Sequence, residues 1–157
     1  MKYPKVIQGG MGVGVSDWKL ARAVSQAGQL GVVSGTAVDQ IFIRRLQQGD
    51  PDGLLRHALS HFPDQRMAQT ILDTYFIPRG KPENQPFKTT PMLTIKPSQA
   101  SIELIVIANF VEIFLAKQGH KGVVGINLLG KIQLPNLFSL YGAMLAGVDY
   151  VIMGAGI

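Results

Sequence analysis

The apolar positions of the chain follow two periods. Short unbroken runs at 5–8, 30–34, 123–129 and 149–153 are bounded by glycine or polar residues and read as buried strands. Between them the spacing is helical. Leu20, Ala21, Val24 and Ala27 recur on one face after Ser16-Asp17, where Ser16 is expected to cap the helix and Gly28 to stop it. Residues 39–48 and 137–146 show the same period. Residues 101–118 are apolar almost throughout, interrupted by Asn109 and Glu112, and read as a buried helix too short and too polar to span a bilayer. Strands separated by helices predict an α/β fold whose strands run parallel with right-handed crossovers.

One long stretch breaks the alternation. Residues 52–73 are helical in pattern but interrupted, with Pro63 opening a new segment. Residues 76–98 carry Pro78, Pro82, Pro86, Pro91 and Pro97, which exclude regular helix or a central strand. The whole of 50–98 is therefore expected to be an insertion between the second and third strands. Its proline-rich part reads as a surface excursion, either functional or disordered.

The ends of the strands point to chemistry. Each run finishes in small or polar residues: Gly9-Gly10, Gly35-Thr36, Asn127, and Gly154-Ala155-Gly156. Parallel strands bring those ends to one face, where α/β proteins bind ligands. The stretch from Val6 to Gly14 is the densest case, a strand delivered into a glycine loop whose backbone must come close to something. A Rossmann fingerprint is excluded, because Val15 and Asp17 stand where its third glycine would fall and the second strand ends without an acidic residue. A P-loop is excluded because no lysine lies between Lys5 and Lys19.

With 157 residues the chain is short for a closed (β/α)8 barrel of about 250. The pattern instead predicts the N-terminal half of such a TIM barrel, truncated, as one domain over 1–157. Ile7, Val33, Ile126 and Ile152 are expected to point into its interior. Such a half-sheet would expose two unpaired edges, and a homo-oligomer is compatible with that.

Composition narrows the function classes. Hydrophobic residues make up 46% and charged residues 16%, which excludes a disordered chain. The absence of cysteine excludes disulfides and thiolate metal sites. The formal charge of +5 invites nucleic acid, yet the basic residues are scattered, with Arg44-Arg45 the densest pair, and a solvated surface is the better reading. A basic binding or scaffold module without cofactor is the alternative from another class. Met1-Lys2-Tyr3-Pro4 lacks the apolar core of a signal peptide, so a cytoplasmic location with no membrane partner is expected. His57 and His61 are spaced like a helical metal pair, but Ala58 stands where a zinc protease needs glutamate. His120 precedes the third strand and belongs at the opposite end from the glycine loops.

Three segments resemble a known family: Val6-Ile7-Gln8-Gly9-Gly10-Met11, the run from Leu20 to Val33, and Val124-Gly125-Ile126-Asn127-Leu128-Leu129. They are similar to the nitronate monooxygenases, formerly 2-nitropropane dioxygenases, and share that signature with flavin-dependent enoyl-acyl-carrier-protein reductases. The resemblance covers 4–36 and 122–157, and the 50–98 segment falls outside the common pattern. It implies an FMN-binding TIM barrel and a flavin-dependent oxidoreductase with a small-molecule substrate. The reaction implied is oxidation of alkyl nitronates with molecular oxygen, or, as the alternative, NAD(P)H-dependent enoyl reduction of the trans-acting type. The cofactor residues implied are Gly10, Met11, Gly12, Asn127, Gly154 and Ala155. The flat isoalloxazine ring needs bare backbone from the glycines, a thioether from Met11, and the donor and acceptor of the Asn127 amide. The family's catalytic histidine and phosphate loops lie on later strand ends and match nothing in this sequence, so no catalytic residue is assigned and the piece by itself is expected to be inactive.

Overall fold

Strands β1 (Gly31–Ser34), β2 (Val124–Leu129) and β3 (Tyr150–Gly154) pair in parallel in the order β1-β2-β3. They belong to a computed structural model that describes residues 3–154. Six helices accompany the sheet among the described residues: α1 (Trp18–Gln26), α2 (Val38–Gln47), α3 (Leu54–Ser60), α4 (Gln65–Tyr75), α5 (Gln99–Lys117) and α6 (Asn136–Leu145). This is a mixed α/β architecture around an open parallel sheet.

The expected strand at 5–8 is reduced to a single parallel bridge, Ile7 with Leu30, and Val6 and Ile7 are exposed rather than buried. Side-chain amides take over where the backbone ladder stops. The Gln29 Oε1 accepts from the Lys5 and Val6 amides at 3.1 and 2.8 Å. Beyond the bridge, Gln8 Oε1 accepts from the Val32 amide at 2.9 Å while Gln8 Nε2 donates to the Val32 carbonyl at 3.1 Å. The segment is thus held as a fourth edge without being a regular strand.

Register decides which residues share a face. Val33 stands beside Ile126 and Val151, and Ser34 beside Asn127 and Ile152. Val33, Val124, Ile126 and Leu128 join the buried cluster with α5 residues such as Ile107 and Val111. The reading of Val33 and Ile126 as interior barrel residues is therefore corrected: both face the helices. Ile7 and Ile152 fall on the other face, since side chains alternate along a strand and a shift of one residue exchanges the two sides. On the helix side, Val151 and Met153 remain 44% and 55% exposed, because no described element covers β3 there.

The centre of the core is α5. It packs against all five other helices and the sheet. An apolar surface all round the helix is what such a position requires. It is long and apolar enough to cross a membrane, yet it is largely buried inside the protein. Its two polar interruptions each make a buried hydrogen bond. Asn109 Nδ2 donates to the Ile105 carbonyl at 2.9 Å, and Glu112 Oε2 accepts from the Trp18 amide at 3.0 Å.

The insertion is only partly an excursion. α3 and α4 bury Leu55, Leu59, Ile71 and Tyr75 in the main core, with the break between them at Phe62-Pro63 as the sequence pattern implies. From 77 to 98 the chain is irregular and mostly exposed. Gln47 on α2, itself buried, fastens it: Oε1 accepts from the Lys88 amide at 2.6 Å and Nε2 donates to the Lys88 carbonyl at 3.0 Å.

Candidate functional site

The loop after the Ile7 bridge turns at Gly12, whose carbonyl accepts from the Val15 and Ser16 amides at 3.0 and 3.2 Å. Ser16 does not cap α1 as expected. Asp17 does, accepting from the Lys19 and Leu20 amides. The buried Ser16 hydroxyl instead accepts from the Met11 amide at 2.9 Å and from Gln8 Nε2 at 3.1 Å, so it props the glycine loop from within. A cap needs its oxygen aimed along the helix axis, and Asp17 stands one residue closer.

Gly10 and Asn127 are in contact. A Cβ on Gly10 would lie 2.5 to 2.7 Å from the Cβ, Cγ and Nδ2 of Asn127, so only glycine lets the loop lie over this side chain. Asn127 is half-buried on the sheet face opposite the helices, and its amide bonds to no described residue. A Cβ on Gly154 would stand 3.9 Å from Asn127 Oδ1, which brings the end of β3 to the same point. Gly154 closes a strand rather than opening a loop, its carbonyl accepting from the Gly130 amide at 2.9 Å. Gly9 and Gly12 have open space where a side chain would stand, and Met11 is 52% exposed. Gly10, Asn127 and Gly154 thus meet at one shelf, with Met11 and Gly12 following Gly10 along the loop. Ala155 lies outside the described residues.

The rim beside Asn127 is strapped together. The Gly35 amide donates to the Asn127 carbonyl at 3.0 Å, and Thr36 Oγ1 accepts from the Leu129 amide at 3.0 Å. Beneath Gly35 lies Asn109, whose Oδ1 is buried with no hydrogen-bond partner. Sequence reasoning missed Gln8, Ser16 and Thr36 as supports, since each acts through a side chain that stands in for backbone.

Other titratable groups stand apart. Glu112 pairs with Arg45, which also meets Asp17 at 3.4 Å, and burial pushes the Glu112 carboxyl above its usual range despite the guanidinium. His57 and His61 stack edge to face with ring centroids 4.7 Å apart. Among the described residues no group of three potential ligands could hold a metal ion. His120 binds the Ala116 carbonyl and the Gly122 amide before β2 begins, away from the shelf as expected.

Comparison with family models, with curated proteins and with solved structures finds no match. Exposed backbone at Gly9 and Gly12, a thioether, and a carboxamide whose donor and acceptor meet no described residue fit the face and polar edge of a flat heteroaromatic ring.

Proposed function

We propose that this chain carries the ring-binding part of an FMN-dependent oxidoreductase of the nitronate monooxygenase type, within the first half of a TIM barrel. The observation that supports this most is the contact of Gly10 with Asn127 beside Gly154, at the carboxyl ends of parallel strands. Bound flavin would supply the electron transfer that oxidation of a nitronate by oxygen needs. The chain's own residues position and exclude. Gly9, Met11 and Gly12 offer an unobstructed surface to the ring, and Asn127 offers one donor and one acceptor to its edge or to the ribityl chain. Ser16 and Gln8 hold the loop at the right height by fixing the Met11 amide and the Val32 peptide. Proton transfer to or from substrate is assigned to no residue of this chain.

Titration of FMN and of riboflavin, followed by quenching of flavin fluorescence, tests the reading. Since the shelf addresses ring and ribityl, both ligands are expected to bind alike, and Gly10→Val to abolish both. Quenching that survives Gly10→Val would remove the shelf from consideration. Binding of FMN with none of riboflavin would place recognition at the phosphate instead.

A further inference from the structure

A cleft of about 340 Å3 opens past the ends of β1 and β2, on the helix side of the rim. That volume lies within the range of roughly 300–1,000 Å3 that small-molecule sites occupy. Four separate segments line it: Thr36 and Asp39 after β1, Met92 and Leu93 from the insertion, Leu104 on α5, and Ile132 after β2. Its wall toward the insertion is closed by a hydrogen bond from Gln40 Nε2 to Thr90 Oγ1 and is backed by the two hydrogen bonds between the Gln47 side chain and the Lys88 backbone.

Asp39 is the sole charged residue among those lining the cleft, in otherwise apolar or neutral surroundings. Asp17, Asp50, Asp149 and Glu112 each meet a basic side chain, but Asp39 forms no ion pair with a described residue. Its position in the first turn of α2 favours the charged form through the helix dipole. We propose that this cleft binds a small organic cation, an alkylammonium whose nitrogen pairs with Asp39 and whose chain lies against Met92, Leu93, Leu104 and Ile132. A partly buried carboxylate with no basic partner gains from such a ligand. In the ligand-free protein the same desolvation raises the Asp39 carboxyl above its usual range, with the backbone amides of Asp39 and Gln40 opposing it. The site does not depend on flavin.

Saturation-transfer NMR on the whole chain, which tolerates self-association, tests the proposal with three probes of equal length: n-hexylammonium, hexan-1-ol and hexanoate. Hexylammonium is expected to bind at least about tenfold more tightly than hexanol, the ratio one added charge contact of modest strength produces. Hexanoate is expected not to bind. In Asp39→Asn the affinity for the amine should fall to that of the alcohol. Equal binding of amine and alcohol, unchanged amine binding in Asp39→Asn, or binding of hexanoate would each overturn the assignment. The comparison of the three probes needs no variant, so it stands even if Asp39→Asn fails to fold.

Discussion

Gln8 binds Val32 as one peptide binds another: its side-chain carbonyl accepts from the Val32 amide and its side-chain nitrogen donates to the Val32 carbonyl. The ladder between the N-terminal segment and β1 thus continues for one more step, through a side chain, after the main chain has turned away into the glycine loop. Gln8→Ala is expected to lower stability by about 1–3 kcal/mol, since it leaves two backbone groups of a buried strand without partners. Gln8→Glu should restore only part, because a carboxylate accepts from the amide and offers nothing to the carbonyl. Urea melts of the three proteins check the order.

The contact between Gly10 and Asn127 makes a paired test available. Gly10→Ala pushes a methyl into the Asn127 side chain, which must then move. Asn127→Ala should weaken flavin by on the order of 1–3 kcal/mol through the lost polar partner. Adding Gly10→Ala to Asn127→Gly should cost far less stability than adding it to the parent, because the obstructing atoms are gone. A double-mutant cycle by chemical denaturation reads this directly. Equal costs in both backgrounds would mean that the loop does not rest on Asn127.

Glu112 gives a pH dependence with a defined sign. Burial raises its pKa above the ordinary 4.5, so the folded chain holds this proton more tightly than the unfolded chain does. Its contribution is therefore fullest below the unfolded value and is lost as pH rises through the folded one. Glu112→Gln keeps an acceptor for the Trp18 amide and cannot titrate. The parent should lose stability between pH 4.5 and the raised value, and the variant should lack that component of the slope. Denaturant midpoints across that range measure it.

Helices α5 and α6 approach closely at Gly142, where a Cβ would stand 2.1 Å from the Val106 carbonyl oxygen. Backbone cannot swing aside as a side chain can. Gly142→Ala is therefore expected to cost at least the roughly 1–3 kcal/mol typical of overpacking, even though alanine is the better helix former. Thermal melts followed by circular dichroism would show it, and an unchanged midpoint would mean that the helices can separate without penalty.

Val151 and Met153 lie bare on the helix side of β3. No described strand pairs with the outer edge of β3, and exposed apolar residues on such an edge template association. Val151→Lys with Met153→Lys should shift the chain toward monomer in gel filtration at micromolar concentration. A parent that already runs as a monomer would contradict this.

The elements with an unbroken apolar period were legible in the sequence. The strands ending in Ser34, Leu129 and Gly154, and the helices after Asp17 and Ala37, lie within two residues of where the pattern puts them. What escaped was whatever depends on a side chain acting as backbone. Nothing in the spacing of residues 5–8 says that Gln8 and Gln29 replace strand bonds, or that Ser16 turns back to the loop rather than forward to the helix. The face of Val33 and Ile126 was misassigned because an all-buried strand has no alternation to read, and only pairing fixes its sides. At the shelf, sequence identified Gly10 and Asn127 separately, but their contact is a product of the fold. Asp39 carried no signal at all, since its isolation from basic groups exists only in three dimensions.

The Gln47 clasp on Lys88 grips peptide atoms alone. Such a fastening asks only for a peptide N–H and carbonyl at position 88, so any residue except proline can serve there, the Lys88 ammonium adding its own bond to the Thr74 carbonyl. The vulnerability lies more at the other end: a substitution at Gln47 would remove both bonds of the clasp and leave Gln40 on Thr90 to hold the chain that walls the Asp39 cleft, whereas most substitutions at Lys88 would leave the clasp in place.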